Sequence, residues 1–223
     1  MRYGIYIFDF DYTLGDATGG IVEAVYYALN TMNLPLPTRD EVKQSVGMSL
    51  QDTFVYLAKN KEPEAGALFV RLFRKKADEI MTQNTVLFKD TVRVLSHLKS
   101  EGARLGIVTT KYRYRIVEIL DKFQISGLFD VIVGGEDVKN TKPDPEALIR
   151  AIQLFDSPKG NAVYIGDSLI DAKTAGSVNM DFIAVTTGTT KREEFMRLPH
   201  IAIIGSLSEL AAQDPPVYSQ TDI

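Results

Sequence analysis

The chain has 223 residues, of which 45% are hydrophobic and 24% charged, a length that suits one core domain with an insert or two small domains. Its net charge of −4 and the lack of a long basic stretch argue against a nucleic-acid partner, and the absence of cysteine excludes disulfides and thiolate metal sites. No apolar run approaches the roughly 20 residues of a membrane span and the N-terminal pattern is not that of a signal peptide, so we expect a cytoplasmic protein without a membrane partner.

The first predicted element is a strand at Ile5–Phe8, because this run is short, apolar and rich in β-branched and aromatic residues. Asp9 and Asp11 follow it directly. Carboxylates at the end of a buried strand are costly unless a cation, hydrogen-bond donors or a reaction requires them. Ligands of open α/β sheets bind beyond the carboxyl ends of the strands, and alternate residues of an extended segment point the same way. The two aspartates are therefore the first candidates for catalysis.

The next stretch, from residue 16 to about 84, has helical patterns only. Thr38 is predicted to cap a short helix, with Glu41 completing a capping box, and Ser49 is predicted to cap the next one. The other helical signals are the apolar face of Gly20–Met32 and an apolar stripe, Leu68–Met81, after Pro63. We therefore predict a helical domain at 16–84, inserted after the first strand through linkers near Gly15-Asp16 and Asn84–Phe88.

Strands and helices alternate over the rest of the chain. Predicted strands are Arg104–Thr109, Val131–Val133, Ala162–Ile165 and Phe182–Val185, and predicted helices are Thr91–Glu101, Tyr114–Phe123 and Pro145–Phe155, the last with Asp144 as N-cap. This alternation favours an α/β fold with a doubly wound parallel sheet. The core would comprise residues 1–15 and 85–213, and residues 214–223, with two adjacent prolines, would form a tail.

Four more polar residues fall where strands end or helices begin. Thr109 ends one predicted strand, and Asp167 and Asp171 follow the strand Ala162–Ile165. Lys142 precedes a helix and is followed by two prolines, Pro143 and Pro145, that fix the backbone there. Carboxylate oxygens without thiolate or imidazole suit Mg²⁺. A lysine, a hydroxyl and backbone N–H groups suit a phosphoryl group. The set as a whole indicates phosphoryl transfer, in which an aspartate can serve as nucleophile and a second acid as proton donor.

These motifs, in this order, resemble those of haloacid dehalogenase-superfamily phosphatases, a family with a Rossmann-like core and a helical cap. The resemblance implies that Asp9 is the nucleophile, that Asp11 is the general acid and base, and that Thr109 and Lys142 bind the phosphoryl group. It implies a Mg²⁺ cofactor with ligands drawn from four aspartates: Asp9, Asp11 through its backbone carbonyl, Asp167, and Asp171 directly or through water. The second aspartate argues against dehalogenation.

Several positions bear on the substrate. The family usually has glycine where this chain has Tyr12, and a tyrosine there is expected to disfavour positive φ and to narrow the mouth of the site. The run Thr110-Lys111-Tyr112-Arg113 resembles the pyrophosphatase branch, and its two cations are candidates for a second anionic group, although pairing at a helix start is the more frequent role. The turn at Gly47 and Met48 is a candidate specificity loop or a plain helix connector.

The predicted function is hydrolysis of a small phosphorylated metabolite by a monomer or homodimer, with phosphoglycolate as the leading substrate and pyrophosphate or a nucleotide next. A sugar-phosphate mutase is an alternative, but the histidine and arginine implied by resemblance to that branch are missing from 16–23 and 46–50. A non-catalytic binding protein is a further alternative, against which the intact Asp9, Asp11, Lys142 and Asp167 argue.

Overall fold

The computed structural model describes residues 3–156 and 161–211, so the predicted tail at 214–223 lies outside the described residues. The strands are β1 Ile5–Phe8, β2 Gly15–Asp16, β3 Val86–Leu87, β4 Arg104–Val108, β5 Val131–Val133, β6 Ala162–Gly166, β7 Asp181–Val185 and β8 Ala202–Ile204. The α-helices are α1 Thr18–Thr31, α2 Arg39–Gln44, α3 Leu50–Ala58, α4 Pro63–Ile80, α5 Thr91–Ser100, α6 Arg113–Lys122, α7 Glu146–Phe155, α8 Leu169–Gly176, α9 Arg192–Phe195 and α10 Ser208–Ala211.

Six strands form one parallel sheet in the order β5-β4-β1-β6-β7-β8. Helices α5 and α6 contribute to the hydrophobic cluster on one face, and α7 and α8 contribute to the cluster on the other. The doubly wound parallel sheet is thus confirmed. The chain leaves β1 in one direction through β4 and β5 and later returns to its other side through β6, so the crevice for a ligand lies at the carboxyl end of β1.

The five predicted sheet strands are confirmed to within one residue at each end. The strand β8 was not predicted, because only three residues pair and two of them are half-buried at the sheet edge. The predicted N-terminus of α7 is wrong by one residue. Pro145 is the N-cap, and Asp144 acts one position earlier by accepting a hydrogen bond of 2.9 Å from the Glu146 backbone N–H.

Helices α1–α4 lie between β2 and β3 and share a hydrophobic cluster of their own, separate from the two sheet clusters. The capping box of Thr38 and Glu41 and the Ser49 cap are confirmed. The prediction of a purely helical stretch is wrong at its first residue. Asp16 pairs with Val86 in an antiparallel two-stranded ribbon, β2–β3, that joins the helical layer to the sheet. Within the described residues, every helix is too short or too polar to cross a bilayer.

Candidate active site

Asp9 begins the site at the carboxyl end of β1. Its backbone N–H donates to the Ile165 carbonyl at 2.8 Å, which extends the β1–β6 pairing by one residue and fixes where the side chain starts. The residue is 3% exposed, and its Oδ1 lies 2.9 Å from Lys142 Nζ. That oxygen accepts no hydrogen bond of good geometry from the described residues. Burial raises the pKa of Asp9 to about 6, although the Lys142 ammonium opposes the rise.

Lys142 is the cation of the site. Its Nζ lies 2.5 Å from Asp171 Oδ1 and donates to the Tyr164 hydroxyl at 3.0 Å, in addition to its ion pair with Asp9. Burial by itself would lower the pKa of Lys142, but the negative charges of Asp171 and Asp9 outweigh it and raise the pKa. The lysine is therefore a fixed ammonium, held on three sides and 4% exposed.

Asp167 and Asp171 follow β6. Asp171 is fully buried and belongs to the capping box of α8, in which its Oδ2 accepts from the Ser168 backbone N–H at 3.1 Å and from the Ser168 hydroxyl. Asp167 Oδ1 accepts from the Thr13 hydroxyl at 3.3 Å. Burial raises the pKa of Asp167 well above its usual range, and the charges of Asp171 and Asp9 add to this. Gly188 closes over Asp167 so tightly that a Cβ there would lie 1.9 Å from its Oδ2.

We call Asp9, Lys142, Asp167 and Asp171 the acid cluster. One carboxylate oxygen from each of the three aspartates lies within 4.8 Å of the others. An all-oxygen donor set with an unsatisfied, buried Asp9 Oδ1 fits a hard divalent cation such as Mg²⁺. Because both oxygens of Asp171 already accept hydrogen bonds within the protein, Asp9 and Asp167 are the better candidates for direct ligands.

Asp11 lies beside the acid cluster but contacts other residues. Its Oδ2 is 3.1 Å from Lys111 Nζ, and its Oδ1 is buried without a hydrogen-bond partner among the described residues. The Thr109 hydroxyl accepts from the Lys111 backbone N–H at 3.3 Å, so the predicted strand-end threonine organises the same loop. The structure therefore brings Asp11, Thr109 and Lys111 together next to Asp9, in a position suited to proton transfer and anion binding.

A cavity of about 70 Å³, which we call the cap cavity, lies between the helices α1–α4 and the loop that follows β4. Four of its lining residues were predicted as substrate-binding: Gly47, Met48, Thr110 and Lys111. Asp11 also lines it, as do Arg74 and Arg115, and most of the remaining wall is apolar. Gly47 has a φ of 93°, a conformation that glycine allows at no steric cost and that shapes the turn before α3.

Tyr12 departs from one prediction. The structure places it at φ 61°, so the expectation that tyrosine would avoid positive φ is wrong. Its ring is buried and its hydroxyl is hydrogen-bonded to the Thr18 hydroxyl at 2.7 Å, which holds this strained conformation against the start of α1. Burial raises the pKa of Tyr12 to about 12. Tyr12 lines a second, polar cavity with Arg39 and Lys43 and lies outside the cap cavity.

Sequence reasoning missed three residues. Arg113 has the more frequent of its two expected roles, because it lies at the start of α6, is half-exposed and pairs with Asp137, and it does not line the cap cavity. Tyr164 was taken as a strand residue only, although its hydroxyl holds Lys142 and Asp171. Ser168 shared its motif with Asp171 and so carried a signal. Arg115 carried none, since its partner Asp78 is 37 residues away.

Comparisons with known proteins agree with this geometry. The family model of haloacid dehalogenase-like hydrolases matches residues 6–185. A pyrophosphatase, PpaX from Bacillus cereus, is 32% identical over 180 residues, covering 79% of this chain and 82% of the relative. The crystal structure of a haloacid dehalogenase-like hydrolase from Bacteroides fragilis superimposes with a TM-score of 0.91 at 40% identity, covering 94% of this chain and 100% of that one. A predicted phosphatase from Clostridium acetobutylicum gives 0.88 at 26% identity, with coverages of 96% and 98%.

Proposed function

This chain belongs to the haloacid dehalogenase-like hydrolases, and from that premise we propose that it is a Mg²⁺-dependent phosphatase acting on a small phosphorylated metabolite through an aspartyl-phosphate on Asp9. The observation that carries the proposal is the Asp9 carboxylate, which is buried, has an oxygen without a hydrogen bond, and lies 2.9 Å from the Lys142 ammonium. A buried carboxylate whose charge is offset by a neighbouring ammonium is a candidate nucleophile for phosphoryl transfer.

In the first half of the proposed reaction, a carboxylate oxygen of Asp9 attacks the phosphorus and the bond from phosphorus to the leaving oxygen breaks. Asp11, in its protonated form, gives its proton to that oxygen. In the second half, Asp11 takes a proton from water, the water oxygen attacks the phosphorus, and the bond from Asp9 to phosphorus breaks. The products are the dephosphorylated metabolite and orthophosphate, and both aspartates return to their starting states.

Charge on the phosphoryl oxygens is the main obstacle to this reaction, because the acid cluster is itself negative. Lys142 lies beside Asp9 and offsets both charges. Mg²⁺, held by Asp9 and Asp167 with Asp171 and the Asp11 carbonyl as further candidate ligands, would supply additional positive charge at the phosphoryl group. The unsatisfied Asp9 oxygen and the oxygen-only donor set support this assignment.

The cap cavity favours a small substrate. Its volume of about 70 Å³ is several times the ~10–15 Å³ that one water needs, which leaves room for a group of a few non-hydrogen atoms. Phosphoglycolate remains our leading substrate. Pyrophosphate is the second candidate, favoured by the similarity to PpaX and by the cations that line the cavity.

The test compares wild type, Asp9→Asn and the exposed control Asp40→Asn with an aryl phosphate in the presence of Mg²⁺. We expect turnover by wild type and the control, loss of turnover in Asp9→Asn, and loss in wild type on chelation that added Mg²⁺ reverses. Acid quenching followed by mass spectrometry should locate a phosphoryl group on the peptide that carries Asp9. Turnover by Asp9→Asn, or full activity after chelation, would contradict the proposal.

A further inference from the structure

We propose that Arg115, together with Lys111, forms a subsite for a second anionic group on the substrate. The preferred substrates would then be small phosphate compounds that carry a carboxylate or a second phosphoryl group a few bonds from the phosphorus that is attacked. This inference rests on the proposed phosphatase function and narrows its substrate class.

Arg115 is a buried cation with an unused donor. The residue is 4% exposed, and its Nη2 donates to Asp78 Oδ1 at 2.5 Å and to the Tyr114 hydroxyl at 2.8 Å. Its Nη1 is also buried but has no hydrogen-bond partner among the described residues. A guanidinium offers five N–H donors in a fixed plane, and a buried charged donor without a partner is costly. An incoming oxyanion would remove that cost.

The cap cavity has more positive than negative charge on its walls. Arg115, Lys111 and Arg74 line it, whereas Asp11 is the sole acidic residue among the described residues of its lining. Lys111 is paired with Asp11 at 3.1 Å and Arg115 with Asp78 through Nη2, which leaves Arg115 Nη1 as a donor without a partner among the described residues. Apolar residues form most of the rest: Ile21, Val46, Met48, Leu50, Phe73 and Met81. In such surroundings the attraction between a cation and an anion is stronger than in water.

The position of the cavity places the second anionic group near the phosphoryl group that is attacked. Asp11 lines the cavity and follows Asp9 by two residues, so a group bound beside Arg115 and Lys111 is close to the attacking carboxylate. The small volume leaves little room for more than the anionic group itself. A carboxylate and a phosphoryl group share the oxyanion chemistry that an arginine and a lysine recognise.

A role for Arg115 in holding the cap does not account for all of its contacts. Asp78 lies on α4 and its side chain is 51% exposed, so its contact with Nη2 is at the rim of the cavity. That tether uses Nη2 and leaves the burial of Nη1 unexplained. A substrate anion bound at Nη1 would supply the partner that this buried nitrogen lacks, while Nη2 keeps its contact with Asp78.

The experiment uses two matched substrate pairs with Mg²⁺: phosphoglycolate against 2-hydroxyethyl phosphate, and pyrophosphate against methyl phosphate. We expect wild type to prefer the member with a second anionic group in at least one pair by about tenfold or more in kcat/KM. Arg115→Gln should lower kcat/KM for that member by about 10- to 100-fold, mainly through KM, with a loss several times smaller for the partner that lacks the second anionic group. The pair that responds identifies the second group as carboxylate or phosphoryl.

Asp78→Asn is the matched control, because it removes the rim contact and keeps the cation. It should leave the preference within about threefold of wild type. Equal losses on both members of a pair in Arg115→Gln, or no preference in wild type, would overturn the subsite and leave the phosphatase function intact. Absence of turnover on all four compounds would overturn the subsite, and absence of turnover on the aryl phosphate as well would refute the phosphatase function. If Arg115→Gln does not fold by circular dichroism, Arg115→Lys decides: a reduced preference supports the subsite, and an unchanged one contradicts it.

Discussion

The acid cluster and the cap cavity lie side by side but are built on opposite principles. In the acid cluster every residue is at most 5% exposed, and the Lys142 ammonium contacts Asp9, Asp171 and the Tyr164 hydroxyl within 3.0 Å. In the cap cavity the walls are largely apolar, and Arg115 keeps a donor without a partner. Under the proposed function, the reacting groups lie where each side chain is held by several contacts at the end of the sheet, whereas the groups that select the substrate line a cavity between the sheet and the helical layer.

The largest expected effect comes from removing the cation of the acid cluster. Lys142→Met leaves Asp9 and Asp171 buried without it, and breaking a buried ion pair from one side costs about 3–5 kcal/mol. We expect thermal unfolding of the metal-free protein about 10 °C lower, and a loss of turnover of about 100-fold or more. The control Lys139→Met replaces an exposed lysine and should change stability by less than about 0.5 kcal/mol. A melting temperature equal to that of the control would show that the cluster does not depend on this charge.

A smaller effect of opposite sign is expected from Asp9→Asn. The pKa of Asp9 is raised from 3.8 to about 6, so the folded protein binds a proton that the unfolded chain has lost between these values. Stability therefore falls as the pH rises through this window and stays reduced above it. Without metal, Asp9→Asn should be more stable than wild type at pH 8 by on the order of 2 kcal/mol, and the difference should vanish near pH 4.

Urea unfolding in the presence of a chelator measures this difference, with Asp40→Asn as the exposed control. Added Mg²⁺ should stabilise wild type more than Asp9→Asn, since the variant lacks one carboxylate ligand. A variant less stable than wild type at pH 8 would mean that the Lys142 contact outweighs the burial of the charge. Asp9 would then be stabilised by its contacts in the folded protein and would not carry the cost of an unpartnered buried charge.

The smallest effect is expected at Tyr12, which adjoins the acid cluster but lies outside the cap cavity. Tyr12→Phe removes the hydrogen bond to the Thr18 hydroxyl and keeps the ring. We expect a loss of about 1 kcal/mol in unfolding free energy, with kcat/KM for the small substrates within about twofold of wild type. Thr31→Val, which removes an exposed bond from a hydroxyl to a helix carbonyl, is the control. A selective rise in KM for Tyr12→Phe would restore the predicted role of Tyr12 in substrate binding.

The sequence predicts the sheet and the acid cluster well because both are local signals. Ile5–Phe8 and Ala162–Gly166 are short apolar runs, and the aspartates that follow them meet because parallel strands bring their carboxyl ends to one edge. Lys142 needed one further step, since its position depends on the loop before α7, in which Pro143 and Pro145 follow it. The helix caps at Thr38 and Ser49 could be predicted for the same reason, because each cap involves residues that lie within four positions of one another.

What could not be predicted depends on contacts between distant segments. The two-residue strands β2 and β3 are too short to show an alternating pattern, and β8 pairs through three residues at an edge. The φ of Tyr12 is set by packing and by its bond to Thr18 rather than by residue preference. The sequence does not distinguish Arg115 from an exposed charged residue on a helix, because its burial and its contact with Asp78 depend on the packing of α4.

The ribbon β2–β3 has a consequence for how this molecule can change over time. Both chain crossings between the sheet and the helical layer pass through its four residues, side by side and antiparallel. Gly15 fits there because a Cβ would lie 2.6 Å from the Val86 carbonyl oxygen. The chain therefore enters and leaves the helical domain at a single place on the core. Recombination at this place could exchange one helical domain for another, which would change the range of substrates while the acid cluster stayed the same.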